Sequence, residues 1–294
     1  MTHPSLDESV YSASKELRGR GAPDPDVLFL MATGVGLLPS SFELTWKLPL
    51  ANIAGIPHAW RGQELIAAER KDATYWFLED SPGESGFPST GGASLIEAPW
   101  VRAFPAWLAA CSGASLCVHT SAGSLLGQHG NAGALQLGLV SDHINLSGRT
   151  PLYGLGDSRV GPIFPDQSRI HHGGLRKSAS AMAKKLGIGV IEGVVACTAG
   201  PAMETPAEQS FYARIGADFA VQNLAAPLIA MSHAGLACLA VVALLDHSES
   251  SDSSPSEVRG ILERAESLAP AMEELLVALT PELCKLSFEL REEV

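Results

Sequence analysis

The amino-acid sequence contains no Lys- or Arg-rich run, and its formal net charge is −12 at pH 7. Nucleic acids and anionic membrane surfaces are both bound through clustered positive charge. The sequence therefore predicts neither nucleic acid nor a membrane surface as a partner. An anionic substrate needs a locally built site in such a chain.

Closely spaced cysteines are also absent. The five cysteines stand at positions 111, 117, 197, 238 and 284. Their spacing matches no zinc motif, and an odd number without close pairs is typical of a reducing compartment, so we expect a cytoplasmic protein. The N-terminal residues 1–21 are polar and charged, which predicts no secretory signal. The most apolar segment, 228–246, is interrupted by Ser232, His233 and Gly235, which indicates a helix end, a turn and a buried strand, not a membrane span.

The residues that are present predict a globular α/β protein. Hydrophobic residues make up 46% of the 294 residues and charged residues 18%, which suffices for a substantial core. Short apolar runs alternate with helical patterns, which predicts a mixed sheet flanked by helices. The predicted strands are 27–33, two within 63–78, 114–120, 135–144, 188–198, 218–222 and 237–245; the predicted helices are 97–113 (amphipathic, interrupted by Pro105), 168–187, 205–215 and 254–279.

No domain boundary is visible, so we predict a single domain over residues 1–294. It begins with a polar N-terminal segment, 1–24, and ends with C-terminal helices in 254–294. The stretches 81–92 and 247–256 are rich in Ser, Gly and Pro or in Ser and acidic residues. This composition predicts surface loops, and both follow strand ends, where loops in α/β proteins often cover a site.

Two motifs follow predicted strands and have small residues at turns. In ATGVGLL (32–38) two glycines and the Thr33 hydroxyl suit a phosphate cradle, although a tight turn explains them equally well. HTSAGS (119–124) places Ser121 at a strand-to-turn junction, as in the nucleophile elbow of esterases. His119 stands where that elbow needs glycine, so we favour a small-residue turn beneath a pocket.

Further polar residues stand at strand ends. SDHINLSG (141–148) is either a catalytic cluster or a set of side chains that satisfies loop backbone groups. His171 and His172 are adjacent and point in different directions on a helix, so we predict no metal site. Asp246 ends a buried strand, where partial desolvation raises a carboxyl pKa. It either donates a proton or simply begins a solvated loop.

Several motifs together resemble the trimeric purine nucleoside phosphorylase family, which includes the methylthioadenosine phosphorylases. The resemblance spans about residues 27–260. Its most specific motifs are DHINLSGRTPL (142–152) and AGPAMETPAEQSFYARIGAD (199–218). The shorter motifs TGVGLL, TSAGSL, FPD and SHAGL also occur in the order in which the family has them. It implies a three-layer α/β sandwich with a central mixed sheet (the nucleoside phosphorylase fold), a homotrimer, and no cofactor. The implied reaction cleaves the N-glycosidic bond of a purine nucleoside, with phosphate as co-substrate.

The resemblance also implies roles for individual residues. Glu204 matches the carboxylate that hydrogen-bonds the purine ring. Asp246 falls beside the 6-substituent and N7 of the base, where the purine phosphorylases carry Asn and relatives acting on methylthioadenosine use Asp. An ionised Asp only accepts hydrogen bonds and so favours a 6-amino purine, whereas Glu204 belongs to the 6-oxo pattern. The implied substrate-binding residues are Thr33, His58, Arg61, Ser121, Ala122, Met203, Gln222 and Asn223.

The chain departs from the family where phosphate is bound. Asp80 and Pro82 occupy the places of an Arg and a His, and Ser254 or Pro255 stands where a His contacts the sugar. An Arg pairs with phosphate, whereas an Asp repels it. Three hypotheses follow: a phosphorylase with a rebuilt anion site, a hydrolase or other glycosyl-transferring enzyme in which Asp80 or a neighbour activates water, and a non-catalytic nucleoside-binding protein.

Overall fold

A single nine-stranded sheet organises the protein in a computed structural model that describes residues 4–32, 35–81, 98–127, 136–245 and 256–292. The strands are β1 (Val27–Met31), β2 (Glu43–Pro49), β3 (Glu64–Arg70), β4 (Ala73–Glu79), β5 (Leu116–Leu125), β6 (Gln136–Asn145), β7 (Gly189–Thr198), β8 (Phe219–Gln222) and β9 (Ala237–Leu245). Their order is β2-β3-β4-β1-β5-β8-β7-β6-β9. Because β9 also pairs with β5, the last five strands close into a ring.

The sheet is mixed, as the alternation of strand and helix patterns predicts. β1 lies parallel to β4 and β5, and β5 is parallel to β9. β7 is parallel to both β6 and β8, whereas β2–β3, β3–β4, β5–β8 and β6–β9 are antiparallel. The parallel arrangement brings the carboxyl ends of several strands to one edge, where α/β proteins place their sites.

Helices cover both faces of the sheet and give the predicted three layers. They are α1 (Leu6–Gly19), α2 (Phe104–Ser112), α3 (Gly173–Leu186), α4 (Pro206–Arg214), α5 (Ala225–His233), α6 (Ser256–Ala278) and α7 (Thr280–Glu292). One core packs α1, α2 and α5 against the sheet around Trp60 and Trp107. The other core packs α3, α6 and α7 around Phe29 and Tyr75. None of the helices in the described ranges has an apolar stretch long enough to cross a membrane.

The N-terminal segment contains a helix that its polar composition does not predict. Ser5 caps α1 in a reciprocal capping box with Glu8. Leu6, Val10 and Leu17 are fully buried on one side of the helix. This spacing places three apolar side chains on a single helix face, so α1 is held by packing against the core although its other faces are polar.

Two further elements differ from the sequence prediction. These elements are the strand β2 and the helix α2. The sequence prediction does not include β2, because exposed residues dominate this edge strand. Pro105 does not interrupt a helix; it lies in the first turn of α2, where a missing N–H costs no hydrogen bond. α2 is buried nearly all round, so it is not amphipathic. The predicted loops at 81–92 and 247–256 lie, apart from Ser81 and Ser256, outside the described residues.

Candidate active site

A cavity of about 140 Å³ opens at the carboxyl ends of the central strands. It brings together four of the residues that the sequence predicts to bind substrate: Ala122, Met203, Glu204 and Gln222. The rest of its described lining consists of Gly123, Ser124, Ala220 and Leu245. Apart from one carboxylate and a few neutral polar groups the wall is apolar, which is typical of a small-molecule site.

Glu204 is held at the cavity wall by two hydroxyl groups. Its Oε1 accepts a hydrogen bond from Thr198 Oγ1 and its Oε2 accepts one from Ser124 Oγ, each at 3.2 Å. Thr198 ends β7 and Ser124 lies near the end of β5, so two strands fix the carboxylate from different sides. Each carboxylate oxygen retains a further lone pair, which a ligand N–H can use.

The segment between β7 and α4 explains why an acid stands directly before a helix. α4 begins at Pro206 and is capped by Thr205 in a capping box with Glu208. The Glu208 side chain therefore serves the helix terminus. Glu204 precedes the cap and is free of that role, so its side chain is available to the cavity.

Gly200 allows this segment to fold tightly against β8. Its φ is +59°, and a Cβ atom there would overlap the Gln222 side chain. Glycine is the residue that adopts this conformation without steric cost. Gln222 Nε2 donates to the carbonyl of Ala202 at 2.9 Å. Gln222 thus both lines the cavity and holds the segment that carries Glu204.

Ser121 lies inside β5 and not at a strand-to-turn junction, because β5 continues to Leu125. Successive side chains of a strand point to opposite faces, so Ser121 lies on the face opposite Ala122 and Ser124, which line the cavity. Its hydroxyl is buried and has no hydrogen-bond partner among the described residues. The esterase hypothesis therefore loses the exposed nucleophile that an elbow would provide.

Two predicted site residues, Thr33 and Asp246, lie outside the described residues. Their described neighbours are well defined. The N–H of Ala32 is bonded to the carbonyl and the hydroxyl of Thr120 at 3.3 and 3.1 Å, which ties the end of β1 to β5. Leu245, directly before Asp246, lines the cavity.

His58, Arg61 and Asn223 are not part of the described cavity lining. His58 and Arg61 are exposed, at the beginning and the end of a short 3-10 helix, and Arg61 Nε donates to the carbonyl of Ile56 at 3.3 Å. Asn223 has a φ of +60° and donates its N–H to the carbonyl of Thr198 at 2.9 Å. It forms the turn that leaves β8, a position that Asn tolerates better than other non-glycine residues.

Asp80 is buried and its charge is already paired. Its carboxylate is 4% exposed and accepts hydrogen bonds from Arg102 Nη1 and Nη2 at 2.6 and 3.0 Å. His119 Nε2 lies 3.0 Å from its second oxygen. Burial alone would raise the pKa of Asp80, but the Arg102 charge and the hydrogen bond to His119 outweigh it and hold the pKa well below the usual range.

This pairing corrects the expectation that Asp80 repels phosphate or activates water. The negative charge is neutralised by a bidentate guanidinium, and a carboxylate with a lowered pKa is a weak base. The residue therefore stabilises the junction between β4, β5 and the segment before α2. The hydrolase hypothesis therefore loses Asp80 as its candidate base.

A second cluster of polar side chains, Asp142, His143 and His171, lies near the end of β6. His143 Nδ1 is 3.1 Å from His171 Nε2, and the His143 N–H donates to Asp142 at 2.8 Å. Burial lowers the pKa of both imidazoles, that of His171 to about 4. His172, as its adjacency predicts, turns elsewhere: its Nδ1 accepts from the Leu175 N–H and caps α3.

Asn145 is part of the loop structure. Its Oδ1 accepts from the N–H of Ser147, and its amide donates to the carbonyl of Arg149 at 2.9 Å. The interpretation that side chains of SDHINLSG satisfy loop backbone groups is therefore correct for Asn145. It does not account for the two facing histidines.

Sequence reasoning missed the side chains that position the two carboxylates. Thr198 and Ser124 hold Glu204, and Arg102 holds Asp80. Ser124 belongs to the TSAGS motif and Thr198 precedes the Gly-Pro pair, so both stand beside recognised motifs. Arg102 is separated from Asp80 by 22 positions, and no motif connects the two.

Comparison with known proteins agrees with this architecture. Purine nucleoside phosphorylase 1 of Geobacillus stearothermophilus is 27% identical over 236 residues, which cover 79% of this chain and 82% of that protein. Purine nucleoside phosphorylase 1 of Bacillus subtilis (strain 168) is 25% identical over 238 residues, covering 80% and 84%. The crystal structure of a schistosoma purine nucleoside phosphorylase in complex with hypoxanthine superposes with a TM-score of 0.80 at 20% identity, covering 94% of this chain and 97% of that chain.

The family assignment rests on the sequence. Residues 109–280, more than half of the chain, match the family model of the Phosphorylase superfamily. This range contains the strands and the pre-helix segment that build the cavity around Glu204. The chain belongs to the phosphorylase superfamily.

Proposed function

We propose that the protein is a purine nucleoside phosphorylase-like enzyme that cleaves the N-glycosidic bond of a purine nucleoside. The observation that carries this proposal is the position of Glu204: a carboxylate fixed by two hydroxyls at the wall of a small, largely apolar cavity. Relatives over about four fifths of the chain carry the name purine nucleoside phosphorylase. Solved structures of the same fold hold hypoxanthine or adenosine.

The chemistry assigns a specific task to Glu204. In phosphorolysis an oxygen of hydrogen phosphate bonds to the anomeric carbon of the sugar, and the bond from that carbon to the purine nitrogen breaks. Its electron pair stays on the purine, which takes up the proton that the hydrogen phosphate loses. In a 6-oxopurine nucleoside Glu204 accepts a hydrogen bond from the ring N–H and so orients the base while its charge develops. Preorganised groups of this kind contribute roughly 100- to 1,000-fold to the rate, about 3–4 kcal/mol.

Asp246 is the proposed reader of the 6-position of the base. It follows Leu245, which lines the cavity. An ionised Asp accepts from a 6-amino group, whereas an Asn in its place can donate to a 6-oxo group. We predict that Asp246→Asn shifts the ratio of kcat/KM toward inosine over adenosine. An unchanged ratio removes Asp246 from base recognition.

Phosphate is the proposed co-substrate, although its site is rebuilt relative to the family. The described lining of the cavity contains no Lys, Arg or His. The Arg102 guanidinium is paired with Asp80, so its charge is not available to phosphate. The candidates for phosphate binding are Thr33 with the glycines near it, and the exposed side chains of His58 and Arg61. No resident cofactor is proposed.

Dependence on phosphate is the test of this function. Adenosine, inosine and methylthioadenosine are incubated with the protein, with and without phosphate, and the free base is quantified. We expect base release that requires phosphate, together with formation of the sugar phosphate. Release at the same rate without phosphate identifies a hydrolase instead. Binding of nucleoside without any release identifies a non-catalytic binding protein.

We also propose that the protein is a homotrimer in the cytoplasm. The segment after β6 carries several large apolar side chains that are exposed in the single chain: Leu146, Tyr153, Ile163 and Phe164, the last at 90%. Exposed apolar patches of this kind mark association surfaces. All five cysteines are free, which suits a reducing compartment. Light scattering coupled to gel filtration tests the trimer, and a monomer mass contradicts it.

A further inference from the structure

Three potential metal ligands converge outside the cavity. Asp142 and His143 lie on β6 after a bulge, and His171 lies directly before α3. The ligand atoms of these three residues all lie within 4.8 Å of one another. None of the three belongs to the lining of the cavity around Glu204. The fold thus brings a second chemical group together from segments about 30 positions apart.

The two imidazoles have the geometry of a ligand pair. His143 Nδ1 and His171 Nε2 are 3.1 Å apart, and their rings are inclined at 70°. If a zinc ion lay about 2.0–2.1 Å from each nitrogen, the nitrogen–zinc–nitrogen angle would be roughly 100°, which is close to the tetrahedral angle. Asp142 is exposed, so its carboxylate can rotate to supply a third ligand oxygen.

The surroundings of His171 leave its burial otherwise unexplained. The residue is 9% exposed, and its Nδ1 has no hydrogen-bond partner in the described part of the chain. The unpartnered Nδ1 is not the atom that faces the other ligands; Nε2 faces His143 Nδ1, and a metal ion held between these two nitrogens gives a reason for paired histidines here. The nearby Arg176 does not present a free positive charge, since its Nε pairs with Glu192 at 2.8 Å.

We propose that Asp142, His143 and His171 bind one divalent transition-metal ion of the zinc type. Two imidazoles and one carboxylate suit zinc and its neighbours in the first row, and do not suit Mg²⁺ or Ca²⁺, which take all-oxygen ligand sets. The ion joins the end of β6 to the segment before α3. That segment is itself bonded to β9 through the bridge between His171 and Cys238. The ion therefore ties β6, the segment before α3 and β9 together, and its remaining coordination position is open to water.

The test uses the untagged full-length protein after removal of metal with EDTA. Calorimetric titration with Zn²⁺ is compared for wild type and for the variants Asp142→Ala, His143→Ala and His171→Ala. His58→Ala is the matched control, because it removes an exposed histidine remote from these ligands in sequence. We expect about one ion per chain, an affinity reduced by at least roughly 10- to 100-fold in each ligand variant, and an unchanged affinity in the control.

Two further measurements keep the proposal falsifiable if a histidine variant folds poorly. Asp142 is exposed, so Asp142→Ala retains the fold by circular dichroism and must still bind Zn²⁺ more weakly. Co²⁺ bound to wild type must show ligand-field bands without the intense thiolate charge-transfer band. Zn²⁺ affinity that is unchanged in Asp142→Ala and His143→Ala, no binding by wild type, or a thiolate band overturns the proposal.

Discussion

Two carboxylates near the carboxyl ends of the strands are used in opposite ways. Glu204 is held by two neutral hydroxyls and faces a cavity. Asp80 is buried and held by a guanidinium and an imidazole. Hydroxyl donors hold a carboxylate in place and leave its negative charge available to a ligand. A guanidinium neutralises that charge. The partners of each acid, more than its position at a strand end, therefore decide whether it serves a ligand or the fold.

The comparison bears on the region where the chain departs from its relatives. The resemblance to the family implies that Asp80 stands in the place of a phosphate-binding Arg, and so suggests a repelling charge. The structure shows an internal ion pair there, in which Arg102 neutralises the Asp80 carboxylate. Asp80 therefore presents no free negative charge to an anion. The proposed binding of phosphate therefore needs other groups, which is why Thr33, His58 and Arg61 are the proposed candidates.

The largest expected effect is the loss of stability on removing the Asp80 carboxylate. Asp80→Ala leaves Arg102 without its partner in a largely buried place, and breaking such a pair costs about 3–5 kcal/mol. Urea unfolding measures the free energy of unfolding. The matched control is Asp80→Leu with Arg102→Leu, in which both charges are removed and part of the lost stability should return, because only the contact to His119 then stays unmade. A single variant as stable as wild type contradicts the role assigned to the pair.

Glu204→Ala should strongly reduce activity and change the stability of the fold only a little. The carboxylate is part-exposed and its partners are hydroxyls that water can satisfy. We expect kcat/KM for the best nucleoside to fall roughly 100- to 1,000-fold while Tm stays close to that of wild type. Glu208→Ala, which removes only the capping partner of Thr205, is the control and should retain activity. Normal turnover by Glu204→Ala removes the residue from the active site.

The pH dependence of stability tests the pairing of Asp80. The pKa of Asp80 is lowered in the folded protein, so its ionised form stabilises the fold above the unfolded pKa of about 3.9. That contribution is lost as the pH falls through the folded pKa. We expect the difference in unfolding free energy between wild type and Asp80→Asn to be constant from pH 7 to about 5 and to shrink below about pH 4. A difference that instead shrinks near neutral pH contradicts the assignment.

Smaller effects are expected for the hydroxyls that hold Glu204. Thr198→Val and Ser124→Ala each remove one hydrogen bond, worth about 0.5–1.5 kcal/mol. We expect kcat/KM to fall roughly 2- to 10-fold in each single variant. The loss in the double variant should exceed either single loss, because the carboxylate is then free to turn. Activity unchanged in the double variant shows that the two hydroxyls do not position the acid.

Much of the fold can be predicted from the sequence, because buried strands such as β1, β5 and β9 are continuous apolar runs. The cavity acid can also be predicted, since Glu204 stands within a specific local motif. The edge strand β2 cannot, because its residues are mostly exposed and carry no apolar run. The helix α1 cannot be predicted from composition either, since its apolar residues are few although they share one face.

Long-range pairing accounts for what the sequence does not reveal about the site. Arg102 reaches Asp80, and His171 reaches His143, across stretches without any local pattern. A sequence shows that His171 and His172 are adjacent and therefore not a ligand pair, but it does not show that a strand end lies beside one of them. Whether a charge is free or neutralised is likewise a property of the tertiary structure.

A crystal structure with a purine base bound tests the central claim most directly. The account predicts that the base lies in the cavity lined by Ala122, Met203 and Gln222, with a Glu204 carboxylate oxygen about 3 Å from a ring nitrogen. A base bound elsewhere, or bound in this cavity with the Glu204 side chain turned away from it, contradicts the account.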